Sequence, residues 1–101
     1  MNSIDVTMVR IYLSEGKASM EQLVKHLHDV EKVRGVTVFR GIIGFGKHGK
    51  VHSSALLDMS LDLPLVVEFF DEPARVDAVL EHLNTLIEPG HMVSWQARLN
   101  V

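Results

Sequence analysis

Leu65-Val66-Val67-Glu68-Phe69-Phe70-Asp71-Glu72-Pro73 is the stretch on which the fold turns. Leu65 to Phe70, apolar except for Glu68, reads as a strand covered on both faces. Asp71 and Glu72 then offer acids to cap a helix, and Pro73 falls in its first turn, where a missing N–H costs nothing. Val76, Val79, Leu80, Leu83 and Ile87 recur at helical spacing as a buried stripe, and Glu88-Pro89-Gly90 stops the helix. A strand that runs straight into a capped helix is half of a β-α-β unit, so further strands are expected on either side.

Downstream, His91 to Val101 alternates cleanly, with Val93, Trp95, Ala97, Leu99 and Val101 against Ser94, Gln96, Arg98 and Asn100. Upstream, Val36 to about Ile43 reads as a strand that ends in the glycine-rich run Gly44-Phe45-Gly46-Lys47-His48-Gly49-Lys50. Before it, Met20, Leu23, Val24, Leu27 and Val30 mark one face of a helix from about Ser19 to Arg34. Ser19 and Gln22 stand at capping-box spacing, and Gly35 is expected as the left-handed cap. Ile4 to Leu13 forms a first strand whose apolar residues change phase. Ile4, Val6 and Met8 fall on one face and Val9, Ile11 and Leu13 on the other, which calls for a bulge or for cover on both faces.

The order is β-α-β-β-α-β. It predicts an α+β, ferredoxin-like fold: a four-stranded antiparallel sheet with two helices on one face and the first and third strands central. Those two strands carry apolar residues on both faces, yet the helices can cover only one. The bare face predicts an oligomer built sheet to sheet.

A chain of 101 residues allows one domain, taken as 1–101. Ten Lys+Arg against 13 Asp+Glu give a net charge of −3, which opposes coating of nucleic acid or anionic membrane. Absence of cysteine excludes a disulfide scaffold and a thiolate zinc site. The first residues lack the basic and apolar parts of a signal peptide, and no apolar run approaches the roughly 20 residues of a membrane span. A soluble cytoplasmic protein is the expectation.

Gly41, Gly44, Gly46 and Gly49 allow positive φ and close approach to a ligand, and successive N–H groups in such a turn can form an anion nest. Lys47 and Lys50 add positive charge beside it, so a phosphate is the natural guest. The plainer alternative is a flexible hairpin connection whose glycines serve geometry alone, since the spacing is neither a P-loop nor a GxGxxG that opens a helix.

Gly44-Phe45-Gly46-Lys47-His48-Gly49, with a long connection to Leu63-Pro64 and an apolar strand, resembles the PII signal-transduction proteins. There a GFG-basic segment begins the long T-loop and a similar Leu-Pro opens the next strand. The fuller run Arg40-Gly41-Ile42-Ile43-Gly44-Phe45-Gly46, with Asp62-Leu63-Pro64, is closer still to a small uncharacterised bacterial family of PII-like type. The resemblance implies a homotrimer with inter-subunit clefts that bind an adenine nucleotide or related small effector. A T-loop-like segment at about 46–62 would then signal to a transporter, channel or enzyme. It places Gly44, Phe45 and Gly46 at the loop base and brings Gly46 N–H and Lys47 to the ligand. Arg40, Gly41, Gly49 and Lys50 would line the same cleft, with Arg98 a further candidate. The only tyrosine, Tyr12, lies on the first strand, so the loop lacks the tyrosine that some PII proteins have modified.

Six histidines invite a metal reading. His26 and His28 lie two apart on a helix and point to different sides, and His82 reads as solvated. His48 and His52 share the loop and could meet a carboxylate such as Asp58. The PII-like superfamily includes the CutA copper-tolerance proteins, so a CutA-like divalent-metal-binding trimer is the alternative. The plainer reading of both histidines is polar loop residues in water.

Two other matches fail on context. Gly35-Val36-Thr37-Val38-Phe39-Arg40 is similar to the acylphosphatase GVxFR run but follows the first helix instead of preceding it. Arg40 to Phe45 loosely resembles an RNA-binding RNP1 motif but falls on the second strand, not the third. No nucleophile-base set or paired carboxylates can be made out, so an enzyme is not expected.

Overall fold

The chain runs β1 (Ser3–Ser14), α1 (Ser19–His26), β2 (Gly35–Arg40), β3 (Ile43–Phe45), β4 (Val51–Ser53), β5 (Pro64–Asp71), α2 (Pro73–Leu83) and β6 (Met92–Asn100) in the computed structural model, which describes residues 2–14, 19–45, 51–53 and 63–101. Four strands make an antiparallel sheet in the order β2-β5-β1-β6, and β3 and β4 pair separately. This is the expected ferredoxin-like α+β fold, with the expected first and third strands, β1 and β5, at its centre.

The register of β1 is unbroken on both sides, Thr7–Ser14 against β5 and Ser3–Ile11 against β6. The change of apolar phase therefore reflects two apolar faces and no bulge. On the helix side, Val9 and Ile11 join Val67 and Phe69 under Leu23, Leu27, Val76, Val79 and Leu83 to form the core. Phe69 is fully buried. Burial of a side chain of that size contributes about 2–3 kcal/mol before ordering costs.

The first helix departs from its expected form. Regular α-helix ends at His26, and residues Leu27–Glu31 form a π-helical turn closed by Lys32 in the left-handed region at φ 54. Gly35 is not the cap but the first residue of β2. A π-turn inserts one residue into the helical phase, so the predicted stripe slips after Leu27. Val30 turns outward, 64% exposed, and Val33 packs on the core in its place.

The second helix opens on Glu72 and Pro73 as expected, but no acid caps it through its side chain. Asp71 is nearly buried and does other work. Its carboxylate accepts hydrogen bonds from Arg34 N–H at 3.1 Å and Glu72 N–H at 2.7 Å, and meets Arg75 Nε at 3.1 Å. One charge thus ties the entry to β2 to the end of β5. Among the described residues, no helix is long and apolar enough to cross a membrane.

Candidate functional site

Strand β2 leaves the sheet at Gly41, whose N–H donates to Pro64 O at 2.7 Å. A Cβ at Gly41 would lie 2.7 Å from Pro64 Cγ and 3.3 Å from the Pro64 carbonyl oxygen, and one at Gly44 would lie 3.2 Å from Cγ. Gly41 is therefore required because the chain passes hard against the proline ring, while a side chain at Gly44 would need that ring to give by a few tenths of an ångström. Neither has positive φ, and among the described glycines only Gly90 does, at φ 90. The sequence expectation of a positive-φ turn at these two positions is corrected to close approach. From this corner Gly44 pairs with His52 across β3 and β4, while Phe45 stands 74% exposed.

Arg40 stands opposite Leu65, beside Gly41 at the same corner. Arg98 does not join them within one chain. It pairs with Asp5, whereas Leu65 pairs with Leu13, and eight steps of β1 at about 3.3 Å put some 26 Å between the two arginines along the strands. Gly46, Lys47, His48, Gly49 and Lys50 lie outside the described residues, and of His52 only the backbone pairing is described. Among the described residues, no group of three or more His, Asp or Glu side chains is arranged to hold a metal ion.

Sequence reasoning missed most of what lies on the second sheet face. The cross-strand partners Met8 and Trp95, Arg10 and Val93, Tyr12 and Val66, and Phe39 and Val66 place these side chains together, away from the helices. The alternating apolar set of β6 thus belongs to the open side and not to the core. Tyr12, Phe39, Val93 and Trp95 are 42%, 47%, 49% and 40% exposed. In their midst Arg10 Nε meets Glu68 Oε2 at 2.7 Å, with its guanidinium 5.5 Å from the centre of the Trp95 ring. The bond to Glu68 raises the Arg10 pKa further, so the cation is permanent and its stack on the indole is a cation–π contact. A separate groove of about 630 Å³ lies on the helix side between α1 and the edge strand β2, with Met20, Val24, Val36 and Val38 in its lining. It does not include the Pro64 corner.

Residues 6–99 match the model of the family DUF190, described as Uncharacterized ACR, COG1993. The chain belongs to that family. A UPF0166 protein of Methanocaldococcus jannaschii is 31% identical over 94 residues, covering 89% of this chain and 86% of that one. Among solved structures, the DUF190 fold seen here resembles CPII, a nitrogen regulatory PII-like protein from Thiomonas intermedia K12 bound to ADP, AMP and bicarbonate. The TM-score is 0.69 at 21% identity, over 99% of this chain and 91% of CPII. CutA1 from Oryza sativa gives a TM-score of 0.63 at 15% identity, over 98% and 84% of the two chains. The fold is thus the PII-like one that the Gly44-Phe45-Gly46 and Leu63-Pro64 motifs implied, and both CPII and CutA1 resemble it.

Proposed function

We propose that this DUF190 protein is a regulatory homotrimer that binds an adenine nucleotide between subunits and passes its occupancy to a partner protein. It works in the cytoplasm as a sensor and not as an enzyme. The open sheet faces meet one another, and each cleft is lined by Arg40 and Gly41 at the Pro64 corner and by Gly44, Phe45, Gly46, Lys47, Gly49 and Lys50 beyond it. Arg98 reaches a cleft only if a neighbouring subunit supplies it, because in its own chain it stands at the other end of the sheet. The whole of 1–101 acts as one domain, with the segment at about 46–62 as the reporting loop.

The observation that carries this reading is the open apolar face. A monomer has no use for Trp95, Tyr12, Val93 and Phe39 side by side and half-exposed. Likeness of fold to CPII, which is bound to ADP and AMP, supports a nucleotide as the effector.

Titration calorimetry tests it. ADP or AMP is expected to bind with micromolar affinity, and Lys47→Ala to weaken binding at least about tenfold, the loss of one charge-assisted contact. No heat from ATP, ADP, AMP or cyclic nucleotides would remove the nucleotide. Light scattering is expected to give the mass of three chains, and a monomer at micromolar concentration would remove the interface.

A further inference from the structure

The π-turn Leu27–Glu31 ends in an arrangement that the proposed function does not use. In an α-helix, residues i and i+5 point about 140° apart, at 100° per residue. The π-turn closes that angle and brings the Glu31 carboxylate under His26, with Nε2 to Oε2 at 2.7 Å. From α2, His82 Nδ1 reaches the same oxygen at 2.9 Å. The carboxylate is almost buried, with 7% of the side chain exposed. Both nitrogens converge on the oxygen itself, so the cluster is built around a hydrogen-bond acceptor and not around a cation.

An ionised carboxylate only accepts, so each imidazole must donate. A neutral His26 is held as the Nε2–H tautomer and a neutral His82 as the Nδ1–H tautomer. Burial pushes the Glu31 carboxyl up, but the hydrogen bonds from His82 and His26 outweigh it and leave the group below its ordinary value. On the turn itself His28 Nδ1 and Asp29 Oδ1 form a separate exposed pair at 2.7 Å, and from α2 the Arg75 Nη2 donates to the carbonyl oxygens of Glu31 at 2.8 Å and Lys32 at 3.1 Å while its Nε meets Asp71 of β5. The Arg75 bonds hold the backbone at any pH. Lys32 is the neighbouring cation on the turn itself.

We propose that His26, Glu31 and His82 form a proton-dependent clasp that fastens the π-helical end of α1 to the last turn of α2. The clasp is tightest when both imidazoles are protonated and the carboxylate is not, because each bond is then an ion pair and neither ring is confined to one tautomer. With neutral imidazoles each bond loses its ionic part and holds its ring to a single tautomer. The clasp fails in acid: a carboxylate depressed in the folded state stabilises the fold above its unfolded pKa, near 4.5, and loses that contribution as pH falls through the folded value. What the clasp controls is the seating of the turn that leads into β2, the edge strand that ends at Arg40.

The test is thermal unfolding of the intact, ligand-free chain at about pH 8 and about pH 5.5, for wild type, Glu31→Gln and His82→Gln. The Tm gap between wild type and Glu31→Gln is expected to widen by about 4 °C or more at the lower pH. His82→Gln, at an exposed position, is expected to show about half of that widening relative to wild type. Equal gaps at both pH values overturn the clasp, as does a His82→Gln profile parallel to wild type. Nucleotide binding enters neither measurement, so the outcome is independent of the sensor reading.

Discussion

The two faces of the sheet are made by the same strands and end in opposite conditions. On the helix side, Val9, Ile11, Val67 and Phe69 are wholly buried under α1 and α2. On the other, Met8, Tyr12, Phe39, Val93 and Trp95 lie side by side around the Arg10–Glu68 pair, with no helix over them among the described residues. One side is finished by the chain itself. The other has the composition of a core and the exposure of a surface, with an internally neutralised ion pair that can be carried into a contact without leaving a lone charge.

The sharpest way to break the contrast is to remove Phe69 from the finished side. Phe69→Ala is expected to cost about 3–5 kcal/mol through lost transfer energy and a cavity, at every protein concentration, in denaturant titration. A cost that vanished on dilution would place Phe69 in the assembly and not in the fold. On the open side the signature reverses. Trp95→Glu should leave the isolated fold within about 1 kcal/mol of wild type but lower the light-scattering mass to one chain, since a buried unpaired charge opposes association. An unchanged mass would show that this face is not where copies meet. The smallest effect is expected at Val30, which periodicity assigned to the buried stripe. Val30→Ser should shift stability by no more than about 0.5 kcal/mol, because the side chain is already in solvent. A loss above about 1.5 kcal/mol would return Val30 to the core.

What could be read from the chain and what could not divide along physical lines. The apolar run from Leu65 to Phe70 and the acid-proline helix start gave β5, α2 and the topology, because both patterns are local and periodic. The stripe of α1 was right through Leu27 and wrong at Val30, since a π-turn changes the period without a residue type that announces it. Lys32 in the left-handed region was equally hidden behind the more obvious Gly35. Alternation in β6 was plain, but it states only that two faces differ. Which face the helices cover depends on pairing with β1. At the corner, Gly41 and Gly44 were expected to supply positive φ, but the constraint on them is the Pro64 ring some twenty residues further on. Arg98 was a further candidate for the cleft, and strand register sets it at the opposite end of the sheet from Arg40. The proposed ligand contacts from Gly46 to Lys50 lie outside the described residues, and their assignment rests on motif.

The seat of Gly41 and Gly44 on Pro64 also sets the mechanics of the corner. Two bare stretches of backbone rest on a rigid ring at the first residue of β5, a central strand, so there is no side chain there to yield. Pressure on the corner therefore passes through that ring straight into the sheet behind it.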